Sequence, residues 1–159
     1  MTVIEYCTEE VSRQGFDTNQ LDGIRRVVWM LNAWKYAIVS CDPLQPGPTI
    51  IQSGPTLGFI KNLGQEVEPE KNRDGFRRVG VQVGGRICPP PEEIRSLLKQ
   101  LVARWPMEPL EFYKEFELIH PFVDGNGRVG KVLLNTFNGT LLNPIFPPDD
   151  LWGEPIRNP

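Results

Sequence analysis

Three observations predict a mainly helical fold carrying one small β-hairpin. Apolar residues recur at three- and four-residue spacing in several separate stretches, the signature of helices with one buried face. Only the segment around residues 75–87 alternates like a strand. The 16 prolines and 15 glycines among the 159 residues gather between these stretches, where they punctuate the chain.

Taken in order, the N-terminal MTVIEYCTEE is acidic and has no apolar run typical of an export signal. Asp17 or Thr18 is expected to cap a helix running to about Ser40, with Leu21, Ile24, Val28, Leu31 and Ile38 as its apolar stripe. CDPLQPGPTIIQSGPT reads as a proline-rich loop, followed by a short helical stretch over about Leu57 to Leu63 that contains Gly58. In GFRRVGVQVGGRI, Phe76, Val79, Val81, Val83 and Ile87 are interrupted by Gly80 and by Gly84-Gly85, which predicts two short strands or an irregular hairpin. PPPEEIRSLLKQLVARW has proline and acids at its start and Ile94, Leu97, Leu98, Leu101, Val102 and Trp105 on one face, so it reads as a helix. Leu110, Phe112, Phe116 and Ile119 predict another over 109–119, which Pro121 stops at His120. Val129, Val132, Leu133 and Phe137 mark a last helix from about Gly127 to Leu142, and PIFPPDDLWGEPIRNP reads as an extended tail over about 144–159. Trp29, Trp34 and Trp105 fall in helical patterns and read as packing residues.

The length suits one domain of roughly 100–200 residues, here 1–159, without internal repeats. A net charge of -3 argues against a dedicated nucleic-acid binder, so no nucleic-acid partner is expected. Residues 71–104 do carry eight Lys or Arg against three Asp or Glu, a local basic bias that reads first as a solvated surface. Cys7, Cys41 and Cys88 are too far apart for a zinc motif and odd in number for a disulfide framework, which suits a reducing cytoplasm. No stretch reaches the roughly 18 apolar residues of a membrane span, so no membrane partner is expected.

The chemistry is concentrated in HPFVDGNGRVGK, residues 120–131. Gly125, Asn126 and Gly127 can adopt positive or unusual φ, turning successive N–H groups into an anion nest at the positive end of the following helix. Arg128 adds a donor fork matched to phosphate oxygens, and Lys131 is placed on the same side. Asp124 supplies a hard oxygen ligand for a Mg²⁺ carried by the phosphates. His120, the only histidine, suits a general base at neutral pH. Gly125, Gly127 and Gly130 with Asp149 also mimic a dinucleotide fingerprint, but no βαβ unit surrounds them, and that reading is rejected.

HPFVDGNGR resembles the signature of Fic-domain proteins, HPFx(D/E)GN(G/K)R. Gly75-Phe76-Arg77, the Gly84-Gly85 pair and PPPEE extend the resemblance upstream, so that residues 57–145 are similar to the family core. The resemblance implies a Fic-type helical bundle with a β-hairpin flap beside the active-site loop. It also implies transfer of AMP from ATP, with Mg²⁺, to a Ser, Thr or Tyr hydroxyl of a target protein. Carried over, His120 deprotonates the hydroxyl, Phe122 anchors the loop, and Asp124 holds the metal. Gly125, Asn126, Gly127 and Arg128 hold the phosphates, while the flap starting at Gly75, Phe76 and Arg77 clamps the target by strand addition.

Two departures stand out. Many Fic proteins have a second arginine where this chain has Lys131, which keeps the charge and loses the fork. Many also carry an inhibitory (S/T)-x-x-x-E-(G/N) helix whose glutamate pairs with that arginine, and the nearest match is Thr18 to Gly23, with Asp22 in the glutamate position. Asp22 is then either an inhibitory residue paired loosely with Lys131, or a first-turn acid behind a Thr18 cap. Many Fic domains continue with another helix after the motif helix. The chain reads either as a minimal version or as one completed by a regulatory partner or a second copy. Two alternatives to AMP transfer stay open: another nucleotide or phosphate-bearing donor, and a non-catalytic nucleotide-binding regulator.

Overall fold

A computed structural model describes residues 1–152; the end of the predicted tail, 153–159, lies outside the described residues. Among the described residues there are seven helices and one two-stranded antiparallel sheet, so the mainly helical expectation with a hairpin holds. No helix among them is long and apolar enough to cross a membrane.

The first helix, α1 (Val3–Arg13), is unanticipated by apolar spacing, because Glu10 shares its buried face with Tyr6, Cys7 and Val11. Its legible signal is Thr2-x-x-Glu5, a reciprocal cap in which each side chain accepts from the other residue's N–H. The next helix, α2 (Leu21–Ser40), has no side-chain cap; Asp17 accepts from the Asn19 N–H at 2.9 Å and shapes the preceding turn. The expected stripe of α2 is helical in period but faces outward, with Leu21 71%, Ile24 46% and Val28 48% exposed. Gly23, Arg26, Met30, Ala33, Trp34 and Ala37 are buried instead. At Gly23 the close approach of a neighbour requires a small residue: a Cβ there would lie 2.1 Å from the Asp17 carbonyl oxygen.

The proline-rich loop holds a single turn, α3 (Ile50–Ser53), and α4 (Leu57–Val67) outlasts its expected end by four residues. Strands β1 (Gln82–Val83) and β2 (Arg86–Ile87) pair only over two positions, and residues 75–81 lie outside the ladder. Gly84 and Gly85, at φ 52° and 81°, form the two-residue turn that right-twisted hairpins favour. A 3₁₀ turn at Pro91–Glu93 leads into α5 (Ile94–Ala103), and α6 (Pro109–Ile119) matches its expected span. Helix α7 (Asn126–Asn138) is shorter than expected because Gly139, at φ 68°, closes it.

The last helix is the centre of the bundle. Most of α7 is buried against α2, α4 and α6, in a core that includes Phe112, Phe116, Phe122, Val129, Val132 and Leu133. Burying each such side chain contributes about 1.5–3 kcal/mol. The helix that begins at the glycine-rich turn is therefore the one the rest of the chain holds most firmly.

Candidate active site

The site is built on the short loop between α6 and α7. His120 ends α6 in a left-handed conformation, φ 51° and ψ 62°, a strained backbone for a residue with a side chain. Two arginines of the flap hold it there. Arg77, buried, donates from Nε to the His120 carbonyl at 2.7 Å and from its terminal nitrogens to Val79, Pro89 and Ile119 carbonyls. Arg86 donates to the Leu118 and Glu117 carbonyls at 2.9 and 3.3 Å. The last carbonyls of α6, which have no partner within the helix, are thus capped by the base and the second strand of the hairpin.

Burial holds His120 below its usual pKa, and Arg86 and Arg77 add to the shift; the Glu117 carbonyl and Asp124 oppose it. Nδ1 is buried with no well-formed hydrogen bond. At pH 7 the ring is neutral, the form a base requires.

Across the loop, Phe122 is fully buried, with its ring against Gly64 of α4, where an added Cβ would sit 2.2 Å away. Asn126 is also buried. Its amide accepts from the Phe122 N–H and donates to the Phe122 carbonyl, both at 2.9 Å. The asparagine side chain therefore staples the loop, and its contribution to an anion is its main chain. Gly125 takes φ 77°, and Val129 makes the first helical hydrogen bond, to the Gly125 carbonyl. The N–H groups of Asn126, Gly127 and Arg128 have no acceptor among the described residues, which leaves three donors at the positive end of α7.

Arg128 departs from expectation. Its side chain has no exposed surface, and its terminal nitrogens donate to the Val67 carbonyl and the Glu68 carboxylate, both at 3.1 Å. The fork expected for phosphate is taken by the protein because α4 ends in a carboxylate that is itself buried and needs cations. Glu68 also receives Arg26 of α2, whose guanidinium stacks 4.0 Å over Phe16. Asp22 belongs to this side: it accepts from Arg26 Nε at 3.2 Å. The expected Asp22–Lys131 contact is not made. The partner of Lys131 is Glu10, buried on α1, at 2.9 Å, and Gln14 donates to the same oxygen at 2.8 Å. Lys131 and Gln14 lie beside the nest: a Cβ on Gly127 would be in ordinary contact with their nitrogens, at 3.8 and 3.9 Å.

Glu117, three residues before His120, brings a second acid toward Lys131. Its Oε1 is buried without a partner, and a Cβ on Gly130 would lie 2.3 Å from it. Burial pushes its pKa up to about 7, assisted by Glu10 and opposed by Lys131 and Arg86. A cavity of about 290 Å³ opens beside this cluster, lined by Glu10, Gln14, Tyr113 and Lys131 among others.

Gly75, Phe76 and Arg77 lie at the root of the flap. Phe76 packs 5.5 Å from the Phe122 ring, and the Arg77 N–H donates to the Pro121 carbonyl at 2.9 Å. The expected docking residues thus join flap to loop, and the exposed part of the flap is residues 78–80 and 82–87, with Val79, Val83 and Ile87 as its exposed apolar side chains.

The Asp124 carboxylate is one-third exposed and presents hard oxygens, the donor type that Mg²⁺ carried by phosphates takes. No group of three or more His, Cys, Asp or Glu that could hold a resident ion occurs among the described residues. Burial opposes its ionisation, but the Lys71 ammonium and the Gly125 N–H outweigh that and hold its pKa below the usual range.

Glu10, Glu68, Arg26, Lys71, Asn72 and Glu117 are absent from the expected site. For Glu117 a signal exists: Tyr113, Glu117 and His120 are spaced four and three apart, which puts three polar side chains along one side of α6.

The family model for the Fic/DOC family matches residues 56–138. A protein adenylyltransferase Fic of Drosophila persimilis is 38% identical over 148 residues, covering 86% of this chain and 27% of that protein. A probable protein adenylyltransferase of Aquifex aeolicus is 36% identical over 110 residues, covering 61% of this chain and 33% of that protein. The chain thus spans about a quarter to a third of the length of these relatives. Two solved structures share the fold: C. elegans Fic-1, with TM-score 0.60 and 20% identity over 86% of this chain and 43% of that chain, and a Desulfovibrio desulfuricans Fic family protein, with TM-score 0.61 and 17% identity over 84% and 46%.

Proposed function

The chain belongs to the Fic/DOC family, and from that premise we propose that it transfers AMP from ATP to a hydroxyl side chain of another protein. One observation carries the reading: the only histidine, held neutral, and three free main-chain N–H groups stand at the two ends of one stapled loop. The relatives named as protein adenylyltransferases support it.

In the proposed step, His120 takes the proton of the target hydroxyl as its oxygen bonds to the α-phosphorus; the bond to pyrophosphate breaks and its electron pair leaves with the pyrophosphate. The N–H groups of Asn126, Gly127 and Arg128 stabilise the phosphate oxygens, where a preorganised donor costs no rearrangement. Mg²⁺, held by Asp124, supplies charge neutralisation on the polyphosphate when bound. Arg77 holds the His120 carbonyl, and Arg86 holds the last turn of α6 before it. The flap tip clamps the target by strand addition, and the three unpaired cysteines suit a cytoplasmic setting. Glu10, in place of Asp22, is the acid that restrains Lys131.

Transfer of label from α-labelled ATP to proteins of a cell extract tests the reading. Intact protein is expected to label targets, and His120→Ala to lose at least about 100-fold in rate, the scale of a general base. Equal labelling by both proteins, or none by either despite ATP binding, overturns it.

A further inference from the structure

Three cations and one main-chain N–H surround the Asp124 carboxylate. Oδ1 accepts from the Gly125 N–H at 2.6 Å and lies 3.6 Å from Arg128; Oδ2 carries the Lys71 ammonium and lies 4.0 Å from Arg26. These cations are not equivalent. Arg128 and Arg26 are buried and committed to Glu68, whereas the Lys71 side chain is 49% exposed. Nor is the Lys71 contact a chance meeting of surface chains. The adjacent Asn72, fully buried, donates to the Asp124 carbonyl at 2.8 Å and to the Gly64 carbonyl at 3.0 Å, while its Oδ1 faces the Asp124 N–H at 3.4 Å. That clamp fixes the Lys71 main chain beside Asp124, leaving only the lysine stem free to move.

A divalent cation that reaches Oδ2 must displace a positive charge, and Lys71 is the one able to leave. Its freed ammonium remains tethered at the mouth of the nest, beside the site of a metal-borne polyphosphate. We propose that Lys71 is a resident counter-ion of Asp124 that divalent metal displaces, and that the displaced ammonium then binds the nucleotide polyphosphate. The inference rests on the reading of Asp124 as the metal ligand. It makes Lys71 a brake on metal binding without nucleotide and an aid once both are present.

Mn²⁺ binding, read from the free-ion paramagnetic resonance signal without nucleotide, tests the first half. Lys71→Met is expected to bind Mn²⁺ about three- to five-fold more tightly, the scale of a part-exposed ion pair worth up to about 1 kcal/mol. Lys99→Met, the same charge loss on the exposed side of α5, should leave the affinity unchanged. Calorimetric binding of a Mn²⁺-loaded non-hydrolysable ATP analogue tests the second half, where Lys71→Met should weaken affinity at least about three-fold. Unchanged Mn²⁺ affinity in Lys71→Met, or unchanged analogue affinity, overturns the proposal. Asp124→Asn separates this failure from that of the reading beneath it: if Asp124→Asn binds Mn²⁺ as the intact protein does, the metal assignment falls and the proposal with it.

Discussion

The first two turns of α7 lie between two buried charge clusters of opposite design. On the α4 side one acid, Glu68, serves two cations, Arg26 and Arg128, with Asp124 and Lys71 at the rim. On the α1 side one cation, Lys131, stands between two acids, Glu10 and Glu117. In the first cluster the bonds from Asp22 and Glu68 outweigh burial and raise the Arg26 pKa, so its charge is fixed at any working pH. In the second, burial leaves Glu117 able to titrate near pH 7. The difference teaches where the helix is anchored and where it is adjustable: two arginines sharing buried Glu68 secure the loop, and a second, titratable acid stands beside the Glu10 that restrains Lys131.

Breaking the locked cluster should have the largest effect. Glu68→Ala removes the one buried acid that both guanidiniums share, leaving Arg26 to part-exposed Asp22 and Arg128 to the Val67 carbonyl and Asp124, and the expected loss is about 3–5 kcal/mol of stability by denaturant unfolding. A loss below about 1 kcal/mol would mean that the two clusters are equally loose. Gly130→Ala tests the other side, because the added methyl meets the Glu117 carboxyl and the Tyr113 ring. A destabilisation of about 1–3 kcal/mol is expected, partly relieved in the double variant with Glu117→Ala.

The titratable acid sharpens the contrast. Because the folded pKa of Glu117 lies above its unfolded value, the native state keeps a proton that the unfolded chain releases between about pH 4.5 and 7. Its contribution therefore falls as pH rises through that window. Glu117→Gln should remove about 1–3 kcal/mol of this decline, seen as a smaller stability difference between pH 5 and pH 8; identical profiles for the two proteins would refute the assignment. The smallest effect is expected for Glu10→Gln, which weakens the hold on Lys131 and should raise ATP affinity by about three- to ten-fold, roughly 1 kcal/mol. Unaltered affinity would show that Lys131 is not restrained by α1.

Local physics made much of this molecule legible. The span of α6, its end at His120 before Pro121, the glycine turn and the start of α7 depend on residues within a few positions of one another, and spacing and backbone preference reveal such features. The first helix was not read from the sequence, whose apolar period Glu10 interrupts; the Thr2–Glu5 cap is the signal that marks it. By contrast, α2 showed its period without its face. The stripe at Leu21, Ile24 and Val28 is the more apolar one, but Gly23, Ala33 and Ala37 admit close neighbours, and packing selected that side.

The sequence by itself thus determined five of the seven helices, the hairpin turn and the loop that carries base and nest, because each follows from short-range backbone preference. Only the tertiary structure decided which charges meet. Lys131 pairs with Glu10 across 121 positions, Arg128 with Glu68 across 60 and Lys71 with Asp124 across 53. A buried charge takes whichever counter-ion the packed helices bring within about 4 Å, and that choice belongs to the three-dimensional arrangement rather than to any spacing along the chain.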